Sequence, residues 1–306
     1  MLAARMVAVL GVAGLFAGAA GPAAGQAIPV DLELVLAVDV SRSMDLDEQQ
    51  LQRQGYLEAI TAPEVVQAIR AGAYGRIALT YMEWAGPAHQ QVVVPWRQVD
   101  GAASAQAFAA ELAEVPLTRE RWTSISSALL FAATLFDQSP YTGLRRVIDV
   151  SGDGPNNIGP MIEPTRDAVL EREIVINGLP IMLKEANPGF GSIPDLDVYY
   201  EDCVIGGPGS FVIPVRTPDQ FAPAIRQKLV LEIAGLTPEL VPAAASVRAK
   251  RIDCLIGERL RMQWLDRLDL VGSGADPPLR PRRGPRRARW PLVGGAGRGC
   301  RSCRAT

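Results

Sequence analysis

The sequence predicts an α/β domain built on a doubly wound, mostly parallel sheet with helices on both faces. Short apolar runs alternate with segments of helical spacing, which favours this architecture. The run "LELVLAVDV" at 32–40 is almost continuously apolar, as expected for a strand covered on both faces. Aromatic residues make up only 6% of the chain, and the apolar content is mostly Ala, Val, Leu and Ile, which suits a buried parallel sheet.

The first half of the chain contains three strand patterns and three helical patterns. In chain order these are strand 32–40, helix 47–60, strands 75–84 and 90–96, and helices 101–115 and 124–136. The two consecutive strands are joined by the turn-rich "AGPAH". In the first helix, the spacing predicts that Leu51, Tyr56 and Ile60 face the core.

The second half continues the alternation. The predicted elements are strand 145–154, helix 163–173, strand 174–182, two short extended pieces around the Gly-Pro-Gly turn of 199–215, and helix 217–235. This last helix begins at Thr-Pro and ends at Gly235, a residue suited to the position just after a helix.

The N-terminus has the features of an export signal. Arg5 precedes an apolar run at 6–20, and small residues follow as far as Ala27, so residues 1–27 are predicted to be a cleaved signal peptide. The run is too short and too rich in Ala and Gly for a convincing membrane span, although a retained anchor is the alternative. No other stretch is long and apolar enough to cross a bilayer. We therefore expect a periplasmic or secreted protein without a membrane span after cleavage.

The remaining chain divides by composition. Residues 28–236 are predicted to form the α/β domain, 237–272 a partly helical extension, and 273–306 a disordered tail rich in Arg, Gly and Pro. From Asp276 onward there are nine Arg and one Asp, so this part carries +8 and the rest about −10 of the total −2. The Arg-rich tail could contact nucleic acid or anionic surfaces, but a solvated tail is the simpler interpretation, and no nucleic acid partner is expected.

The four cysteines suit an oxidising compartment. Cys203 and Cys254 lie in the similar settings "DCVIGG" and "DCLIGE", and a disulfide between them would attach the extension to the domain. Sequence alone leaves the connectivity open. Cys300 and Cys303 have the CxxC spacing, but a zinc site needs about four ligands, and the only histidine is the distant His89.

Side chains that carry oxygen lie in three of the predicted loops: two that follow strands and one that precedes a helix. One strand ends at Asp39, and Ser41 and Ser43 follow at alternate positions. Thr123 stands just before a helix, and Asp153 lies in the turn after another strand. A doubly wound sheet brings such turns to one edge, where ligands bind. Two carboxylates and three hydroxyls suit a hard divalent cation, so these five residues are the predicted ligands of Mg²⁺ or of a similar ion such as Mn²⁺ or Ca²⁺.

Each turn also has a simpler explanation by itself. Asp45 and Glu48 have the spacing of a capping box, so the first loop could simply start a helix. Thr123 or Ser124 could cap the following helix, and "SGDG" could be an ordinary turn.

The combination resembles a known family. "DVSRS" at 39–43 resembles the Asp-x-Ser-x-Ser motif of von Willebrand factor A domains, and Thr123 and Asp153 match that family's second and third metal-site loops. The resemblance covers roughly residues 30–235. More narrowly, the chain is similar to an uncharacterised group of exported bacterial proteins with this domain, through "YMEWAG", "RRVIDVSGDGPNN", "INGLPI" and "DCVIGGPGSF".

The resemblance implies a Rossmann-like fold and a metal-ion-dependent adhesion site. Ser41 and Ser43 would bind the metal directly. Thr123 would bind it directly or through water. Asp39 and Asp153 would often act through water, and a carboxylate of a protein partner would complete the coordination.

The sequence departs from the family at two positions. Many members have Gly before the metal-site Thr, where this chain has Arg121-Trp122. Position 42 is Arg rather than a small residue, and this cation would either favour an anionic ligand or shield the site.

The residues favour binding over catalysis. Neutral hydroxyl ligands leave a metal electrophilic, whereas a hydrolase also needs a positioned base or nucleophile. We therefore predict a non-enzymatic, exported binding module that engages a carboxylate on a protein partner. The alternatives are a structural protein whose metal only orders the loops and, least favoured, a metal-assisted hydrolase.

Overall fold

The computed structural model describes residues 27–185, 192–236 and 251–272, with side chains described as far as 267. The predicted signal peptide, apart from its last residue, and the predicted tail 273–306 with its CxxC pair lie outside the described residues. The chain divides into two compact units, 1–262 and 263–306. The described part of the second unit is 263–272, the C-terminal part of one helix.

A five-stranded, mostly parallel sheet forms the centre of the first unit. Its strands are β2 (Glu33–Asp39), β3 (Ile77–Trp84), β4 (Gln90–Val99), β6 (Arg146–Gly152) and β7 (Ile174–Pro180), arranged in the order β4-β3-β2-β6-β7. Only β4, at one edge, runs antiparallel to its neighbour. A separate parallel pair joins β1 (Ile28–Val30) to β5 (Tyr141–Gly143).

The register brings the ends of three strands to one edge. Asp39 at the end of β2 pairs with Trp84 at the end of β3, and Val38 pairs with Ser151 near the end of β6. The next strand in the chain, β3, lies on one side of the central strand β2, and the later strand β6 lies on its other side. The order therefore reverses beside β2, which is where open α/β sheets bind ligands.

Helices cover both faces of the sheet, as predicted. They are α1 (Leu46–Thr61), α2 (Pro63–Arg70), α3 (Ala102–Ala113), α4 (Ile125–Leu135), α5 (Ile162–Leu170), α6 (Leu196–Tyr199), α7 (Phe221–Ala234) and α8 (Ile256–Gly272). One apolar core contains Tyr56 of α1 and Leu229 of α7, and the other contains Leu129 of α4 and Ile162 of α5. Two separate cores explain why the central strands are apolar on both faces.

The predicted helix ends are present. Asp45 and Glu48 form the capping box of α1, in which each side chain accepts a hydrogen bond from the backbone N–H of the other residue. Gly235 follows α7 with φ +67°, a left-handed conformation that glycine adopts without strain.

Two local predictions were wrong. Leu51 is 37% exposed, because the inner face of α1 carries polar residues instead: Gln52 donates to Ser151 Oγ (2.8 Å) and Arg53 forms a buried ion pair with Glu83 (2.5 Å). The first extended piece predicted in 199–215 is helical, since Tyr200–Val204 continues α6 as a π-helical turn. Its apolar residues are buried against the sheet, and this tertiary packing overrides their strand preference.

A buried charged group fixes α7 against the sheet. Lys228 is fully buried, and its Nζ lies 2.7 Å from Asp149 Oδ1 of β6 and also pairs with Glu232. Asn177 of β7 donates to Glu232 Oε1 (2.9 Å). Burial raises the pKa of Glu232 to about 7, while the Lys228 ammonium acts in the opposite direction.

The predicted disulfide between Cys203 and Cys254 is present. It joins the π-helical turn Tyr200–Val204 to the C-terminal extension at residue 254, as the sequence suggested. Within the described part of the chain, every helix is too short or too polar to cross a membrane.

Candidate functional site

The loop after β2 and the loop after β6 meet through side chains. Asp39 Oδ1 accepts a hydrogen bond from the backbone N–H of Ser41 (2.6 Å), and the hydroxyls of Ser41 and Ser43 lie 2.8 Å apart. Ser43 Oγ then donates to Asp153 Oδ1 (2.6 Å). The structure therefore brings together four of the five residues that the sequence singled out, across 110 positions of the chain.

Thr123 lies beside this group. The N–H of its neighbour Ser124 donates to the carbonyl of Ala85, just after β3 (2.8 Å). A Cβ atom placed on Gly154 would lie 4.0 Å from Thr123 Oγ1, which puts the buried threonine next to the Asp153 loop. The fifth predicted residue thus comes to the same edge from a third loop.

The second oxygen of Asp39 faces a confined polar space. Asp39 Oδ2 and Tyr200 Oη are both buried, and neither has a hydrogen-bond partner among the described residues. A Cβ atom on Gly152 would stand 2.8 Å from Asp39 Oδ2 and 2.9 Å from Tyr200 Oη, so only glycine leaves this space open. A buried carboxylate oxygen without a partner is costly, and a cation or a metal-bound water would satisfy it.

The electrostatics of the two acids fit a bound cation. Burial, and then the nearby Asp153 carboxylate, hold the pKa of Asp39 well above its usual range. Burial also raises the pKa of Asp153 to about 6, against the opposing effect of the hydrogen bond from Ser43. A divalent cation between the carboxylates would favour the ionised form of both.

The donor set limits the kind of ion. In the described ranges, His, Cys, Asp and Glu side chains do not gather in groups of three or more that could hold a metal. An ion held here would therefore depend on hydroxyl oxygens in addition to the two carboxylates. Such a set suits a hard, oxygen-preferring cation rather than a thiolate- or imidazole-bound one.

Lys184, which the sequence analysis did not single out, holds the serine loop in place. Its Nζ donates to the carbonyl of Ser43 (3.0 Å), lies 3.2 Å from Asp45 Oδ2 and pairs closely with Glu48. Lys184 follows β7, the strand adjacent to β6, so its position at a strand end was the signal that could have found it.

Three arginines flank the serine loop. Residues 119–121 run beside it, since Arg42 N–H donates to the Glu120 carbonyl (2.8 Å) and Glu120 N–H donates to the Val40 carbonyl (2.9 Å). The exposed Arg42, Arg119 and Arg121, here called the arginine rim, form no ion pair within the described part of the chain.

Two asparagines connect the Asp153 loop to the Thr123 loop. Asn157 Oδ1 accepts from the N–H of Thr123 (3.1 Å), and Asn157 N–H donates to the Thr123 carbonyl (2.9 Å). Asn156 Oδ1 accepts from the N–H of Ser126 (3.0 Å). These hydrogen bonds give the pair a bridging position between the two loops.

Burial distinguishes Glu83 and Trp84 from Trp122. Trp84 is fully buried, and a Cβ atom on Gly152 would lie 3.2 Å from its ring, so the ring lines the space in front of Asp39. Glu83 is buried in its ion pair with Arg53. Trp122 is partly exposed and adopts φ +72°, a left-handed conformation that is strained for a bulky residue. This strained position is the one where the sequence departs from the glycine of the resembling family.

No curated protein matches this chain. Among solved structures, it is similar to proximal thread matrix protein 1 from the mussel byssus (10% identity, TM-score 0.50), over 68% of this chain and 49% of that one. It is also similar to the pilus adhesin SpaC from Lactobacillus rhamnosus GG (12% identity, TM-score 0.52), over 68% of this chain and 31% of that one. A von Willebrand factor type A protein from Catenulispora acidiphila matches with 14% identity and a TM-score of 0.46, over 67% and 43% of the two chains.

The chain thus spans half or less of the length of each of these three proteins. With the first two, whose TM-scores are 0.50 and 0.52, identities this low show a shared fold alone. The fold is the von Willebrand A type: a mostly parallel sheet between two helical layers. A family model described as "Protein of unknown function (DUF1194)" matches residues 29–237, more than half of the sequence. The chain therefore belongs to the DUF1194 family, within which its domain has a von Willebrand A fold.

Proposed function

We propose that this protein is an exported binding module that uses a divalent cation to engage an acidic group on a protein partner. Asp39, Ser41, Ser43, Thr123 and Asp153 would hold the cation. The observation that carries the proposal is the 2.6 Å hydrogen bond from Ser43 to Asp153 beside the unpartnered Asp39 Oδ2. Three loops distant in sequence converge there on a site rich in oxygen.

The residues have different roles in this proposal. The hydroxyls of Ser41 and Ser43 are neutral ligands, so they do not neutralise the cation. The carboxylates of Asp39 and Asp153 supply the charge that retains the ion and orient the hydroxyls. A bound Mg²⁺, or Mn²⁺ or Ca²⁺, would supply a Lewis-acidic position that welcomes an outside carboxylate.

The arginine rim supports an acidic partner. Arg42, Arg119 and Arg121 surround the serine loop without acidic partners of their own among the described residues. Uncompensated cations around a metal attract an anionic segment and accelerate its encounter. Rim and metal would then act together on one acidic patch.

Export is supported by the chemistry of the chain. The Cys203–Cys254 disulfide requires an oxidising compartment to persist, such as the periplasm or the extracellular space. The predicted signal peptide at 1–27 leads to the same location.

A structural role is the second candidate. Hydrogen bonds already connect the two loops: Asp39 Oδ1 accepts from the backbone N–H of Ser41, and the hydroxyls of Ser41 and Ser43 lead to Asp153. An ion could therefore serve only to order these loops. In that case loss of the ion would lower thermal stability without changing the binding of any acidic ligand.

A binding assay separates the two candidates. The full chain would be titrated with a fluorescent Glu-containing peptide and with its Gln counterpart, in Mg²⁺ or in EDTA. Binding of the Glu peptide alone, and only in Mg²⁺, is the expected result. Equal binding of both peptides, or binding that persists in EDTA, would contradict the proposed function.

A further inference from the structure

Residues 251–262 of the C-terminal extension are attached firmly to the domain. The segment 251–262, here called the strap, follows the range matched by the family model. Cys254 forms the disulfide with Cys203. Arg251 pairs with Glu201 and with Asp202 Oδ1 (3.1 Å), and its N–H donates to Asp202 Oδ2 (2.7 Å). Two neighbouring attachments therefore fix the start of α8.

The first turn of α8 contacts the loop that carries Asp153. Asn156 Nδ2 donates to Glu258 Oε1 (2.7 Å). A Cβ atom on Gly257 would lie 2.0 Å from the carbonyl oxygen of Asn156, so the helix and the loop meet backbone to backbone. Only glycine at 257 allows this approach.

The next turn of α8 contacts the loop that carries Thr123. The Arg261 guanidinium lies 4.7 Å from the centre of the Trp122 ring, a cation–π arrangement. Trp122 is the residue with φ +72°, directly before Thr123. A strained backbone persists only where surrounding contacts hold it, and Arg261 is such a contact.

The two contacts converge on the same pair of loops. Asn156, held by Glu258, accepts hydrogen bonds from Ser126 N–H (3.0 Å) and Ser126 Oγ (3.1 Å) at the start of α4. Asn157 binds the backbone of Thr123 in both directions. Glu258 and Arg261 thus reach the Thr123 loop by two different routes, one through Asn156 and the adjacent Asn157, and one through Trp122.

We propose that the strap is a built-in clamp that holds the Thr123 and Asp153 loops at the spacing a bound cation needs. Glu258 and Arg261 are its positioning residues, and the disulfide is its anchor. The metal-binding part of this inference rests on the proposed function, whereas the clamping of the two loops does not. Residues outside the range that the family model matches would then set the cation affinity of a site inside that range.

Four single variants of the full chain test the clamp. Glu258→Ala and Arg261→Ala remove its two contacts. Arg259→Ala is the matched control, because Arg259 lies on the same helix and pairs with Asp253 within the strap. Glu258→Gln keeps an acceptor for Asn156 and is the conservative rescue.

Hydrogen exchange in the metal-free protein gives the first readout. Faster exchange of the Ser126 and Asn157 amides is expected in Glu258→Ala, with wild-type rates in Arg259→Ala and Glu258→Gln. Unchanged rates at these amides, or an equal acceleration throughout strand β2, would overturn the clamp. This readout decides the clamp even if the wild-type protein binds no Mg²⁺, a result that would defeat the proposed function alone.

Mg²⁺ titration by calorimetry gives the second readout. Loss of a residue that supports a metal ligand typically weakens metal affinity by about 10- to 100-fold, and that range is expected for Glu258→Ala and Arg261→Ala. Wild-type Mg²⁺ affinity in both variants would contradict the clamp. If either variant fails to fold, the Cys203→Ser/Cys254→Ser double variant replaces it, with the same expectation at both readouts.

Discussion

Ser43 and Asp153 are 110 residues apart in the chain, and the hydroxyl of the first donates a 2.6 Å hydrogen bond to the carboxylate of the second. The bond exists because β2 and β6 are parallel neighbours, so the loops that follow them leave the sheet at the same edge. It connects the two arms of the candidate site. The contribution of this hydrogen bond to stability, and the role of Ser43 in Mg²⁺ binding, can both be tested.

Ser43→Ala removes this donor and one proposed ligand. The partly exposed bond is expected to contribute about 0.5–1.5 kcal/mol to the free energy of unfolding. Urea denaturation would measure that loss, and calorimetry would show abolished Mg²⁺ binding. Ser210→Ala, outside the site, should leave both quantities unchanged. Retention of wild-type Mg²⁺ affinity in Ser43→Ala would show that the hydroxyl is not a ligand.

Gly152→Ala fills the space in front of Asp39. The new Cβ would stand 2.8 Å from Asp39 Oδ2 and 2.9 Å from Tyr200 Oη, so the neighbours must move. Overpacking of this kind lowers the free energy of unfolding by about 1–3 kcal/mol, which urea denaturation would show as a lower midpoint. Gly101→Ala, where a Cβ meets nothing within 4 Å, is the control. Equal stability of the two variants would mean that the space in front of Asp39 is looser than the contacts indicate.

Trp122→Gly tests the strained residue before Thr123. Glycine relieves a left-handed conformation that costs a bulky residue about 1–2 kcal/mol, but it also removes the ring that Arg261 contacts. In a double-mutant cycle, Arg261→Ala should cost about 0.5–1 kcal/mol with Trp122 present and close to nothing in the Trp122→Gly background. Equal costs in the two backgrounds would rule out the cation–π contact.

Stability should fall as pH rises through the range where Glu232 ionises. The pKa of the buried Glu232 is about 7 in the folded protein against its usual 4.5, so the folded state holds the proton more tightly. The resulting stabilisation is complete below pH 4.5 and is lost as pH rises towards 7, amounting to no more than about 3 kcal/mol.

Urea unfolding at several pH values would measure this dependence. The pKa is also raised for Asp39, Asp149 and Asp153, so these acids change the pH dependence of stability in the same direction. The contribution of Glu232 is therefore isolated by comparing the wild-type protein with Glu232→Gln. The variant should lose part of the slope between pH 4.5 and 7. An identical slope in both proteins would assign the pH dependence to the other acids.

The sheet and the convergence of its loops could be predicted from the sequence, because both follow from local patterns. Apolar runs such as 32–40 identify buried strands, and parallel strands place their following loops at one edge. Asp39, Ser43 and Asp153 were found in this way.

Other features depend on long-range packing that no local pattern records. Leu51 has the spacing of a core residue, yet α1 turns Gln52 and Arg53 inward because Ser151 and Glu83 lie opposite them. Tyr200–Val204 has the composition of a strand but packs as a helical turn. The contact of Arg261 with Trp122 depends on where α8 docks, which the disulfide and Asn156 determine together.

Mg²⁺ titration of the metal-free full chain by calorimetry would show whether Asp39 and its neighbours hold a divalent cation. One Mg²⁺ per chain is expected in the wild-type protein, and none in Asp39→Ala or Ser41→Ala. Asp219→Asn changes an exposed acid that is not among the proposed ligands, and this variant should bind like the wild type. No binding to the wild-type protein, or equal binding to the Asp39→Ala and Ser41→Ala variants, would contradict the account.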